Sequence, residues 1–205
     1  METCLCEHWL SMIFSLSSQC IIAFNVIFIF QVRFKMFECG NLKIRGIEAR
    51  RHDTPSFFSR CQNEILDLMA EGNTINEVKA LMPKVNGILQ NYAVALKEQR
   101  VPIEELVFTK RLSKNSNEYQ NRNTVENDAL RLLENEGKYL KAGEILEYII
   151  SDYYFKKRGN NRAIPLELLD DNNNRYNVRR YMELLAETCN SVTEPFGHLF
   201  SAKDL

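Results

Sequence analysis

No sign of charge dominates this chain of 205 residues: 26 lysines and arginines stand against 27 aspartates and glutamates, a formal net charge of −1. That balance excludes a protein holding nucleic acid or an anionic membrane by bulk charge, so any such role must lie in local clusters. Metal-ligand spacing is missing too. The six cysteines (Cys4, Cys6, Cys20, Cys39, Cys61 and Cys189) include no Cys-x-x-Cys, and Cys4-x-Cys6 has no second pair. Scattered thiols of this kind suit a reducing cytoplasm, which is the expected location. The chain has no GxxxxGK, HExxH or G-x-S-x-G, so phosphate-loop, zinc-peptidase and nucleophile-elbow chemistries have no footing. It also has no internal repeat and no low-complexity tract.

One long apolar run is present. No charged side chain falls between Trp9 and Val32, and Ile21 to Phe30 is nearly all apolar. About 20 apolar residues suffice to cross a bilayer, and Arg33 and Lys35 would leave the remainder on the cytoplasmic side. Against a span stand Ser11, Ser15, Ser17, Ser18, Gln19 and Asn25. Glu2 and Glu7 argue against a cleavable signal. Residues 1–35 are therefore read as a hydrophobic leader of open status: an upstream extension before a natural start at Met36, a membrane anchor through residues 9–32, or a segment buried by a partner.

The polar part opens on Lys43-Ile44-Arg45-Gly46-Ile47-Glu48-Ala49-Arg50-Arg51-His52-Asp53-Thr54-Pro55. Leu42, Ile44 and Ile47 alternate with Lys43 and Arg45 as in a strand. Asp53-Thr54-Pro55 reads as an N-cap followed by a first-turn proline. Three guanidiniums, Arg45, Arg50 and Arg51, thus lie on a strand-to-helix junction and suit phosphate oxygens. A solvated charged loop is the competing reading.

Downstream, Phe58, Cys61, Ile65, Leu68 and Met69 recur at helical spacing, and Gly72 stops the run. Thr74-Ile75-Asn76-Glu77 opens a second helix, with apolar positions from Ile75 to Ala95 and Pro83 inside as a kink or a division. The two helices predict an antiparallel pair. Lys110, Arg111 and Lys114 form a second cationic group, among Ser113, Asn115, Ser116 and Asn117, and Tyr119 either supports this loop or stacks. A helix over Thr124 to Asn135, a strand over Glu144 to Ser151, and a final helix over Val178 to Val192 follow. Lys156-Lys157-Arg158 is a third basic patch, read as solvated surface. The fold class is α+β, mainly helical: a helix pair, short strands and a C-terminal helix.

The words themselves resemble the thumb (C-terminal) region of archaeal-type family B DNA-directed DNA polymerases. Lys43 to Asp53 matches that thumb's K-[IV]-R-G-[IL]-E-x-x-R-[RH]-D run. Thr109-Lys110-Arg111-Leu112-Ser113-Lys114 with Tyr119 is similar to its T-K-x-L-S-K…Y element, and Gly143-Glu144-Ile145 with Tyr148-Ile149-Ile150 to its G-x-x-I-x-Y-I strand. Arg162-Ala163-Ile164-Pro165, Tyr176, Tyr181 and Pro195-Phe196-Gly197 continue the series in order. The resemblance covers residues 36 to 200, and residues 36–205 are read as the thumb-like domain.

The resemblance implies a thumb that grips the primer–template duplex through phosphates, with Lys43, Arg45, Arg50, Arg51, Lys110, Arg111 and Lys114 as DNA-binding residues and none catalytic. Nucleotidyl transfer requires carboxylates holding two metal ions. This chain has no D-x-D turn, no fingers helix and no exonuclease D-x-E. The resemblance therefore implies a larger partner chain carrying palm, fingers and exonuclease, with Mg2+ in that partner and no cofactor bound here. The family's primer-end tyrosine has no counterpart in Gln31-Val32-Arg33-Phe34-Lys35. A truncated remnant without a role and a membrane-tethered DNA-binding module remain the alternatives.

Overall fold

The computed structural model describes residues 36–38, 41–43, 53–72, 74–119, 124–151, 162–170 and 175–205. It divides into two units, Met1–Ile47 and Glu48–Leu205. In the first, strand β1 (Met36–Glu38) pairs antiparallel with β2 (Asn41–Lys43), Phe37 opposite Leu42. The leader and the remainder of the strand expected beyond Lys43 lie outside the described residues.

The second unit begins with helix α1 (Ser56–Met69). The sequence points to Asp53 as its cap; in the structure Pro55 is the cap residue, and its carbonyl accepts from the backbone N–H groups of Phe58 (3.1 Å) and Ser59 (3.3 Å). Proline suits that place because the first-turn donors bind its oxygen and ask nothing of its missing N–H. Helix α2 (Ile75–Ala80) is capped by the Thr74 hydroxyl, which accepts from the Glu77 N–H at 3.2 Å. Pro83 lies in the first turn of α3 (Met82–Lys97), so it divides two helices rather than kinking one. Gly72 permits the close return between α1 and α2: a Cβ there would stand 2.8 Å from Val78 Cγ2 and 2.9 Å from the Val78 nitrogen.

Strands β3 (Phe108–Arg111), β4 (Ile145–Ile150) and β5 (Ala163–Pro165) form an antiparallel sheet in the order β3-β4-β5. Helix α4 (Val125–Asn135) packs on β4 and β5, and α5 (Val178–Thr193) packs on α1 and α3, which also touch each other. The second unit is thus mainly helical with a small three-stranded antiparallel sheet. The expected helix pair is joined by a third helix.

Tyr181 ties the two layers together. It is fully buried; its hydroxyl donates to the Leu106 carbonyl (2.8 Å) and accepts from the Ile150 N–H (3.1 Å), and its ring meets those of Phe58, Phe108 and Tyr176. Among the described residues, no helix is long and apolar enough to cross a membrane.

A candidate nucleic-acid interface

Lys110 and Arg111 are strand residues, not members of a loop as the sequence suggests. They end β3, an edge strand, where Lys110 pairs with Leu146 and Arg111 with Ile145. Cross-strand partners share a face and consecutive residues alternate, so the two cations project to opposite sides of the sheet. Lys110 shares the face of Leu146, which is buried against α4 with Ala129, Leu130 and Leu133. Arg111 shares the other face with Ile145, which is 56% exposed. Together they arm both flanks of one edge.

Lys114 follows in the segment 112–119, and that segment is fixed. Buried Leu112 anchors it in the α4 cluster, against which Tyr119 also packs. The Tyr119 hydroxyl accepts from the Ser113 N–H at 3.1 Å. Tyr119 therefore supports the segment. Hydrogen bonding from the Ser113 hydroxyl, with further help from backbone N–H groups and the Lys110 charge, lowers its pKa from the usual tyrosine value of 10.0.

A second segment, 137–144, is stapled to the first. The Leu112 N–H donates to the Glu144 carbonyl (2.9 Å), the Gly143 N–H to the Leu112 carbonyl (2.8 Å), and the Ser116 N–H to the Leu140 carbonyl (2.9 Å). The Asn115 side-chain oxygen Oδ1 accepts from the Ala142 N–H (3.1 Å), and Arg111 Nε donates to the Gly143 carbonyl (3.2 Å). Gly143 stands at φ +90°, where a β-carbon would be strained, so the turn that meets Leu112 needs glycine. Lys141 is exposed on this segment; the nearby Glu144 carboxylate accepts from the Lys141 backbone N–H (2.7 Å). Lys141 escapes notice in the sequence because only Lys138 lies near it; the signal there was its place in a short loop between Gly137 and Gly143.

Many other basic side chains are neutralised. Arg60 pairs with Glu105, Arg100 with Glu98, Lys138 with Glu167, Arg180 with Glu183 and Glu187, and Arg131 and Arg162 both with Asp128. Lys110, Arg111, Lys114 and Lys141 are exposed and form no ion pair among the described residues. Exposed, unpaired cations on a rigid backbone can take phosphate oxygens with little ordering cost. Of the other proposed contacts, Lys43 belongs to β2 in the first unit, while Arg45, Arg50 and Arg51 lie outside the described residues. Lys156-Lys157-Arg158 lies outside them too.

Comparison with known proteins places this surface in context. Residues 31–196 match the model of a family described as DNA polymerase family B. DNA polymerase 1 of Saccharolobus solfataricus is 25% identical over 164 residues, covering 80% of this chain and 18% of the polymerase. A DNA polymerase of Methanocaldococcus jannaschii is 29% identical over 126 residues, covering 60% of this chain and 7% of its own length. The solved family B DNA polymerase of the hyperthermophilic archaeon Pyrobaculum calidifontis superposes with a TM-score of 0.60 over 81% of this chain and 20% of that one, at 17% identity. The chain therefore spans a fifth or less of these relatives.

Proposed function

The chain belongs to DNA polymerase family B, and we propose that it serves there as the thumb, a part that grips duplex DNA without performing the chemistry. The observation that supports this reading is the edge formed by Lys110, Arg111 and Lys114: three cations without acidic partners among the described residues, on a strand end and segment held by hydrogen bonds. Lys43, Arg45, Arg50 and Arg51 are further candidates for phosphate contact on the same reading. Such contacts position a duplex and carry no sequence information. They would slow dissociation of the primer–template and so raise processivity.

Catalysis would belong to a larger chain bearing palm, fingers and exonuclease, with Mg2+ held by that partner's carboxylates. Among the described residues, no group of three or more histidines, cysteines, aspartates or glutamates is placed to hold a metal ion.

The test is binding of the full chain to a primer–template duplex across a salt series. Neutralisation of six phosphates by these seven cations would give a slope of log K against log salt of roughly −5. An affinity that ignores salt, or no binding in dilute buffer, ends the proposal.

A further inference from the structure

The second segment, 137–144, has no part in the grip proposed above, yet it carries an exposed aromatic ring and an exposed cation that the grip does not use. Leu140 turns inward and packs against the α4 cluster, while its neighbour Tyr139 is left 64% exposed. Two residues further on, Lys141 is exposed and without an ion pair among the described residues, whereas Lys138 is tied to Glu167 at 2.7 Å. The backbone of this segment is fixed to the 112–119 segment at Leu140, Ala142, Gly143 and Glu144. An aromatic ring and a lysine thus lie on a segment that is hydrogen-bonded to the one carrying Lys114. Exposed aromatics interleaved with cations are the chemistry of nucleic-acid surfaces, because the cation meets phosphate and the ring meets sugar or base.

Resting on the thumb reading, we propose that the 137–144 segment is a second arm of the duplex interface. Lys141 adds one phosphate contact, and Tyr139 packs its ring against deoxyribose along the groove wall. The two contributions differ physically. A lysine–phosphate contact releases a counterion and so depends on salt. Ring-on-sugar packing removes apolar surface from water and releases no counterion, so it is insensitive to salt. The arm therefore gives the grip a component that persists at salt concentrations where phosphate contacts fade. The stapling has a consequence as well. Because Asn115 and Gly143 hold the two segments at fixed separation, both arms meet the duplex together, as one rigid surface.

The experiment measures affinity of the full chain for a 30-base-pair duplex by fluorescence anisotropy from low to moderate salt. The variants are Lys141→Gln, Tyr139→Ala, Tyr139→Phe and the triple Lys110→Gln/Arg111→Gln/Lys114→Gln. Lys141→Gln is expected to weaken binding about fivefold and to make the slope shallower by about 0.9. Tyr139→Ala is expected to weaken binding about fivefold at every salt concentration with the slope unchanged, and Tyr139→Phe to bind as the parent does. All the substituted side chains are exposed, and unchanged melting curves exclude unfolding as the cause. If Lys141→Gln and Tyr139→Ala bind like the parent while the triple variant fails, the second arm is overturned and the thumb reading stands. If the triple variant also binds like the parent, both are overturned.

Discussion

At the scale of single residues, Tyr181 shows how one side chain fixes the relation of helix to sheet. A buried phenol must find partners for its oxygen. Tyr181 finds two on different elements, the Leu106 carbonyl and the Ile150 N–H. Tyr181→Phe keeps the ring and strands both backbone groups, so a loss of about 1–3 kcal/mol is expected in denaturant unfolding. Burial also pushes the Tyr181 hydroxyl, and that of Tyr148, above the ordinary 10.0. The folded protein then keeps protons that the unfolded chain releases near pH 10. Rising pH therefore favours unfolding, and stability should fall above pH 10, less steeply in Tyr181→Phe. A flat stability profile between pH 9 and 11 would contradict this.

Asp128 belongs to the scale of elements, because it couples α4 to β5. Its carboxylate is 1% exposed, accepts from Arg162 Nε at 2.8 Å and from the Arg162 backbone N–H at 3.2 Å, and also pairs with Arg131 within its own helix. Both arginines keep contact with solvent, so the buried-pair range of about 3–5 kcal/mol overstates the effect, and about 2–3 is expected for Asp128→Ala. Hydrogen exchange at Ala163 and Ile164 should accelerate in that variant, since β5 loses its fixed start. Unchanged exchange there would mean the pair is incidental. The same scale explains the charges on β3. Lysine and arginine at an edge also block pairing with another chain. The blocking role is compatible with the proposed grip, because unpaired edge cations remain open to phosphate.

For the whole molecule, the decisive fact is proportion. This chain covers a fifth or less of the polymerases it resembles, yet 80% of it aligns with DNA polymerase 1 of Saccharolobus solfataricus. On the thumb reading proposed above, the chain needs a palm to act with. The chain is therefore expected to co-purify from its native source with a larger chain carrying an Asp-x-Asp turn, and to add processivity to that chain's synthesis on a primed template. Recovery as a well-behaved monomer with no such companion would count against the division of labour.

Much of this was legible before the fold. Helical spacing located α1, α3, α4 and α5, Pro83 marked the break between α2 and α3, and ordered motifs pointed to the family, because those signals depend on residues a few positions apart. The sequence also named Lys110, Arg111 and Lys114 as a cluster. Only the folded structure showed that Lys110 and Arg111 straddle an edge strand, that residues 137–144 clasp residues 112–119, and that Asp128 reaches Arg162. Those features depend on hydrogen bonds between residues 27 to 34 positions apart. No local preference encodes such pairings; burial of the α4 cluster and the strand register decide them.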